Sequence, residues 1–167
     1  MSDTDTITEN GKTHQLGALP MSAFATMTGL DIFKHMMAGE LPAPPIMIHS
    51  NIRMKEFEEG RAVFSGLPAK EFLNPLGTVH GGWISTLIDT ALSCAVHTTL
   101  KPGEFYTTTS LNVNMVRPLH PGSGEVVCEG RIVHRGARLA TSEGELRDAK
   151  GKLIAHGTVS CMILKPS

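Results

Sequence analysis

The chain lacks most of the features that announce a function. Its charge is nearly balanced, 15 Lys and Arg against 16 Asp and Glu for a formal net charge of −1, so it lays out no surface for nucleic acid or an anionic membrane. It has three cysteines, Cys94, Cys128 and Cys161, spaced 34 and 33 residues apart. An odd, widely spaced set suits neither a disulfide framework nor a zinc site, and fits buried reduced thiols in a cytoplasmic protein. No run of about 18 apolar residues exists, which removes a membrane-spanning helix. The first twenty residues hold no basic stretch followed by an apolar one, so no secretory leader is expected. No G-x-S-x-G nucleophile elbow occurs, since Gly122-Ser123-Gly124 lacks the spacing, and there is no glycine-rich phosphate loop or dinucleotide fingerprint.

What is present reads as globular. At 167 residues, 41% hydrophobic and 19% charged, the chain suits one domain with a short arm and excludes wholesale disorder. Residues 1–21 are rich in Thr, Asp and Gly without periodicity and are expected to be a flexible tail, with a single domain over 22–167. Ser22 begins an expected helix over about 22–38, ended by Gly39, and Leu41-Pro-Ala-Pro-Pro45 reads as an extended connector. Strand-like runs follow at 46–57, 61–66, 106–117, 125–134, 139–148 and 153–164, separated by Gly-, Pro- and Asp-containing turns. Between the second and third lies one long apolar helical stretch starting near Gly81. This order predicts an α+β fold, a long central helix wrapped by an antiparallel β-sheet, because parallel winding would need helices between the later strands.

That stretch holds the residue to explain. In Asn74-Pro-Leu-Gly-Thr-Val-His80-Gly81-Gly82-Trp-Ile-Ser-Thr-Leu-Ile-Asp89, a His-Gly-Gly turn opens the helix, and Asp89 is the one carboxylate on it. A carboxylate on a largely apolar helix must be paired, hydrogen-bonded or functional. A metal site from His80, Asp89 and His97 fails, because nine residues along a helix turn by about 180° and set Asp89 opposite His80. No metal or cofactor is expected.

Asn74-x5-His80-Gly81-Gly82-x6-Asp89 resembles the signature of hotdog-fold acyl-CoA thioesterases of the phenylacetic-acid-degradation (PaaI) type. Gly39-Glu-Leu-Pro-Ala-Pro-Pro45, Glu59-Gly-Arg-Ala-Val-Phe64, Val113-Asn-Met-Val-Arg-Pro118, Gly130-Arg-Ile-Val-His-Arg-Gly136 and Ala155-His-Gly-Thr extend the likeness over roughly residues 24–164. The resemblance implies a hotdog fold assembled as a dimer of dimers, a homotetramer, acting on acyl-CoA. It places the catalytic carboxylate on Asp89, the amide donor on Gly81 with Gly82 beside it, and assisting polar residues on Asn74 and His80. A Ser or Thr of the next strand falls by register on Thr108, with Thr107 and Thr109 one residue away.

Thioester hydrolysis needs a donor for the developing oxyanion and a base or nucleophile for the attack. Gly81 at a helix N-terminus offers an unsatisfied N–H. Eight residues along one helix rise about 12 Å, whereas one thioester carbon must lie about 3 Å from both groups. Gly81 and Asp89 of one subunit therefore cannot serve one carbonyl, and the chemistry requires at least a dimer. Arg131, His134, Arg135 and Arg138 form an acid-free run that suits coenzyme A phosphates or a solvated strand edge. The alternative is a non-catalytic acyl-CoA sensor on the same scaffold. Against it, residues 1–45 carry only Lys12 and Lys34 as cations, too few for a DNA-binding module.

Overall fold

A computed structural model describes residues 6–9 and 12–165. Eight strands and four α-helices follow in chain order: β1 (Thr6–Glu9), β2 (Lys12–Gln15), α1 (Met21–Thr26), α2 (Gly29–Ala38), α3 (Ile46–His49), β3 (Ile52–Glu58), β4 (Arg61–Gly66), α4 (Gly81–His97), β5 (Phe105–Met115), β6 (Val126–Arg135), β7 (Leu139–Arg147) and β8 (Leu153–Leu164). The last six strands form one antiparallel sheet in the order β3-β4-β6-β7-β8-β5. The sheet curls around α4, which packs on β4, β6, β7, β8 and β5. This is the expected α+β arrangement, a hotdog.

Side-chain volume sets how close helix and sheet can come. Gly130, Gly144 and Gly157 stand opposite one another on β6, β7 and β8. A Cβ on Gly130 would lie 2.5 Å from the Ala91 carbonyl oxygen, nearer than any real contact, so only glycine admits the helix there. Leu87, Ile88, Ala91, Leu92, Ala95 and Val96 are consequently sealed, and Ser142 on β7 donates to the Leu92 carbonyl at 2.7 Å. Burying a Leu or Ile side chain contributes about 1.5–3 kcal/mol, so this one face of α4 supplies much of the core.

The N-terminal third departs from the sequence expectation. The tail expected over residues 1–21 is partly ordered: β1 and β2 pair as a hairpin, the buried His14 donates from Nδ1 to Met36 O at 3.1 Å, and Gly17 N bonds Ala43 O. Main-chain pairing and one buried ring fasten a segment whose composition advertises neither. The expected helix over 22–38 is two. Met27 is extended, and Thr28 caps α2 by accepting from Asp31 N. Gly29 then docks its N–H on Leu100 O at 2.9 Å, against the end of α4, where any side chain would collide with His97. The expected strand over 46–57 begins as α3, because Pro45 already holds helical φ and the Pro44 and Pro45 carbonyls accept from Met47 and Ile48.

His97, the last residue of α4, closes the core beneath these elements. Its ring meets Phe24, Phe33 and Tyr106 edge-on, at centroid distances of 6.3, 4.9 and 5.5 Å, and its buried Nε2 has no hydrogen-bond partner among the described residues. Burial pushes its pKa down from 6.5 to about 4. A depressed histidine contributes stability that is intact above pH 6.5 and lost as pH falls toward 4, because the unfolded chain takes the proton first. Wild type should therefore lose about 3 kcal/mol more stability than His97→Leu between pH 7.5 and 4. Denaturant melts of the two proteins at both pH values measure this. Equal losses would refute the assignment.

Candidate active site

The turn before α4 is built to present its first amide. Asn74 Oδ1 accepts from Leu76 N at 2.9 Å and Thr78 N at 3.2 Å, and its Nδ2 donates to Thr78 Oγ1 at 2.7 Å. Asn74 thus spends its side chain holding the 74–78 turn. His80, at the helix N-cap, accepts from Gly82 N through Nδ1 at 2.8 Å. A ring whose Nδ1 accepts carries its N–H at Nε2, which makes this exposed side chain a donor. The bond also occupies the Gly82 amide, so Gly82 offers no free donor, whereas the Gly81 N–H has no partner among the described residues.

A cavity of about 300 Å³ opens in front of Gly81, lined among others by Asn74, Thr78, Met115, Val116 and Arg117. Met115 at the end of β5 lies against Gly81: a Cβ there would come within 2.9 Å of its sulfur. Further along the helix, Asp89 is half-buried and accepts from Thr108 Oγ1 at 3.2 Å. Of the three threonines within one residue's slip, Thr108 is the one that meets the carboxylate. Thr109 is exposed and donates to Ser160 O, and the register shift between Thr108 and Ser110 turns the strand at this point. Burial raises the Asp89 pKa above the ordinary carboxylate value, and the Thr108 hydroxyl opposes that rise. Cys161 lies behind the pair, its sulfur 4.0 Å from Thr108 Oγ1. Burial lifts its pKa to about 11 and that of Cys94 to about 12, so neither is a thiolate nucleophile near neutral pH.

The basic run does not converge on this site within one subunit. Arg131 is on the outer face of the sheet with Nε 2.5 Å from Glu129, beside a larger concavity of about 530 Å³ whose walls carry Glu129, Glu143 and Glu145. Glu129 there is already paired with Arg61 and Arg131, and Glu145 with Arg147. Arg135 reaches past the C-terminal end of α4 to Thr99 and pairs at 2.5 Å with Glu104, which is only 7% exposed. His134 and Arg138 are exposed on the same strand-turn-strand edge. The residue that sequence reasoning passed over is Arg117, next to Pro118 at the end of the Thr-rich strand and on the wall of the Gly81 cavity.

The comparisons agree with the fold. A sequence model of the thioesterase superfamily matches residues 76–155. A Saccharolobus solfataricus protein provisionally named as an esterase is 30% identical over 115 residues, covering 69% of this chain and 80% of that one. The human acyl-coenzyme A thioesterase 13 is 30% identical over 101 residues, covering 59% and 69%. The crystal structure of a variant of the phenylacetic acid degradation protein PaaI from Thermus thermophilus superposes with a TM-score of 0.64 at 28% identity, covering 71% and 97%. The chain therefore belongs to the thioesterase superfamily. Within it, the chain is a thioester hydrolase of hotdog fold and PaaI-like type.

Two outcomes follow from this geometry. Thr108→Val removes a hydrogen bond that favours the charged carboxylate, so the acid limb of kcat/KM against pH should move to higher pH. A limb that stays in place would separate Thr108 from Asp89 function. Arg135→Ala removes the nearest cation from the buried Glu104 carboxylate, leaving it the Lys101 N–H and Lys165, so it should lower the melting temperature, with about 1–3 kcal/mol lost, before it affects KM. Calorimetry beside kinetics distinguishes these.

Proposed function

We propose that the chain hydrolyses an acyl- or aryl-CoA thioester to coenzyme A and a carboxylic acid, at a site shared between two copies. The observation that carries this reading is the pair of opposed half-sites along one helix. The Gly81 N–H is free at the start of α4, and Asp89 with Thr108 stands eight residues on, about 12 Å away. Both face β5. In a dimer the Gly81 amide of one subunit polarises the carbonyl, with the Nε2–H of the exposed His80 as a second donor. Asp89 of the other subunit deprotonates a water that attacks the carbonyl carbon, or attacks it directly to form an anhydride that water then hydrolyses to the acid and free Asp89, and Thr108 orients it. The carbon–sulfur bond then breaks and the departing thiolate is protonated.

The surfaces that would meet are those left uncovered in one chain. Gly82, Ser85, Thr86, Asp89 and Thr90 form a small, polar stripe on α4 that the sheet does not cover. Beside it β5 is an open edge with Leu111, Met115 and Val116 38, 46 and 50% exposed. A long strand edge left unpaired invites pairing with another chain, and a second copy covers edge and stripe together. A dimer of dimers extends this assembly. The Asp89–Thr108 pair favours hydrolysis over a sensor, which has no use for a half-buried carboxylate. No helix among the described residues is long and apolar enough to cross a membrane. The three unpaired thiols suit the reducing cytoplasm.

A screen of acyl-CoA chain lengths and aryl-CoAs for thiol release tests the activity. Asp89→Asn should keep fold and size while lowering kcat by about 10²–10⁴-fold. Gly81→Pro deletes the amide donor at a helix start whose preceding residue is already extended (His80 φ −62°, ψ 137°), and its Cβ requires the flexible Met115 side chain to move aside. It should cost about 10²–10³-fold. Mixed after dissociation, the two inactive variants should regain activity, because each hybrid dimer holds one intact site. Hybrids that form and stay inactive would sink the shared site.

A further inference from the structure

The cavity in front of Gly81 has one charged residue on its wall. Val79, Ile84, Met115, Val116 and Leu119 supply apolar wall, Asn74 and Thr78 are polar but neutral, and Arg117 is the charged member. The Arg117 side chain is exposed and has no hydrogen bond or ion pair among the described residues, unlike Arg61, Arg131, Arg135 and Arg147, which all engage carboxylates. Its backbone, by contrast, is pinned. Val116 N and Arg117 N both donate to Ile154 O, at 2.9 and 3.2 Å, and two residues on Leu119 O accepts from Val79 N at 2.8 Å. A free guanidinium on a fixed mount, at the wall of a pocket that contains a free amide, is arranged for an anion from outside the chain.

We propose that Arg117 binds an anionic group of the substrate and is the specificity-determining residue of this cavity. This rests on the thioesterase reading above, which puts the reacting carbonyl at Gly81. The cavity is at the small end of ligand pockets, about 8 Å across as a sphere of its volume. An anion held in it is only a few bonds from that carbonyl. The chemistry that fits is a short acyl group ending in a carboxylate, the monothioester of a small dicarboxylic acid: methylenes against Met115 and Leu119, carboxylate on Arg117. Coenzyme A phosphates are the other anions such a substrate carries, at the far end of a pantetheine arm much longer than the cavity.

The test uses four thioesters: a straight-chain acyl group and its ω-carboxy counterpart of equal length, each on coenzyme A and on N-acetylcysteamine, which lacks the nucleotide. With Arg117→Ala, KM for the ω-carboxyacyl esters should rise about tenfold on both carriers while kcat changes little, because remote binding is made equally in ground and transition states. The uncharged acyl esters should be unaffected, and Arg117→Lys should restore part of the loss. A rise on both coenzyme A esters and neither N-acetylcysteamine ester supports Arg117 as an anion reader and assigns the anion to the nucleotide. Equal KM for wild type and variant on all four, or one uniform loss of kcat, overturns the proposal. Wild type that releases thiol from neither coenzyme A ester overturns the thioesterase reading itself.

Discussion

Everything at the site is positioned by how closely α4 can lie on the sheet. Gly130, Gly144 and Gly157 remove side chains along one line across β6, β7 and β8, and the helix settles into that line with the Ala91 carbonyl where a Cβ would otherwise be. A helix held so closely has no freedom to roll. Leu87, Ile88 and Leu92 must point into the sheet, and at about 100° per residue the rest of the helix surface is then fixed. Asp89 lands beside β5 because Ile88 is sealed in the core. The carboxylate needs no dedicated scaffold, since core packing aims it.

The same constraint leaves a face unfilled. One curled sheet covers the apolar side of α4 and stops at β5, so the stripe of Gly82, Ser85, Thr86, Asp89 and Thr90 stays open. These residues are small enough for another backbone to approach and polar enough to stay in water until it does. On the proposed function, an interface and a catalytic half-site occupy one strip of helix. On the proposed mechanism, the two helical turns between Gly81 and Asp89 make neither group competent within its own subunit, which would tie hydrolysis to assembly.

The sequence was most legible where pattern and physics coincide. The strands at 61–66, 139–147 and 153–164 follow from alternation and turn residues, and β4 and β8 begin and end where expected. Thr108 was reached by register, and its contact with Asp89 needs the strand turn that only the structure displays. The misses lie where long-range contacts override local preference. Residues 12–17 look like a tail until His14 reaches Met36 across 22 residues, and the helix break at Met27 depends on Gly29 meeting Leu100 O. Arg131 and Arg135 stood out as a cluster, yet Glu129 and Glu104 answer them from elsewhere in the chain. Arg117 drew no attention because an isolated arginine before a proline is unremarkable until a cavity is seen beside it.

The half-burial of Asp89 has its own logic. A fully exposed carboxylate would sit near its ordinary pKa and take up a proton poorly near neutrality. A fully buried one would stay protonated and could not act as a base. Desolvation raises the Asp89 pKa while the Thr108 hydroxyl restrains the rise, so the group lies between those limits. The second subunit proposed to cover the α4 stripe would withdraw more water and move it further in the same direction. A group so placed can accept a proton as the tetrahedral intermediate forms and return it to the departing sulfur. Efficient proton transfer favours a pKa drawn toward the working pH. In the proposed dimer the hydroxyl of Thr108 would be the counterweight that keeps assembly from silencing the base it completes.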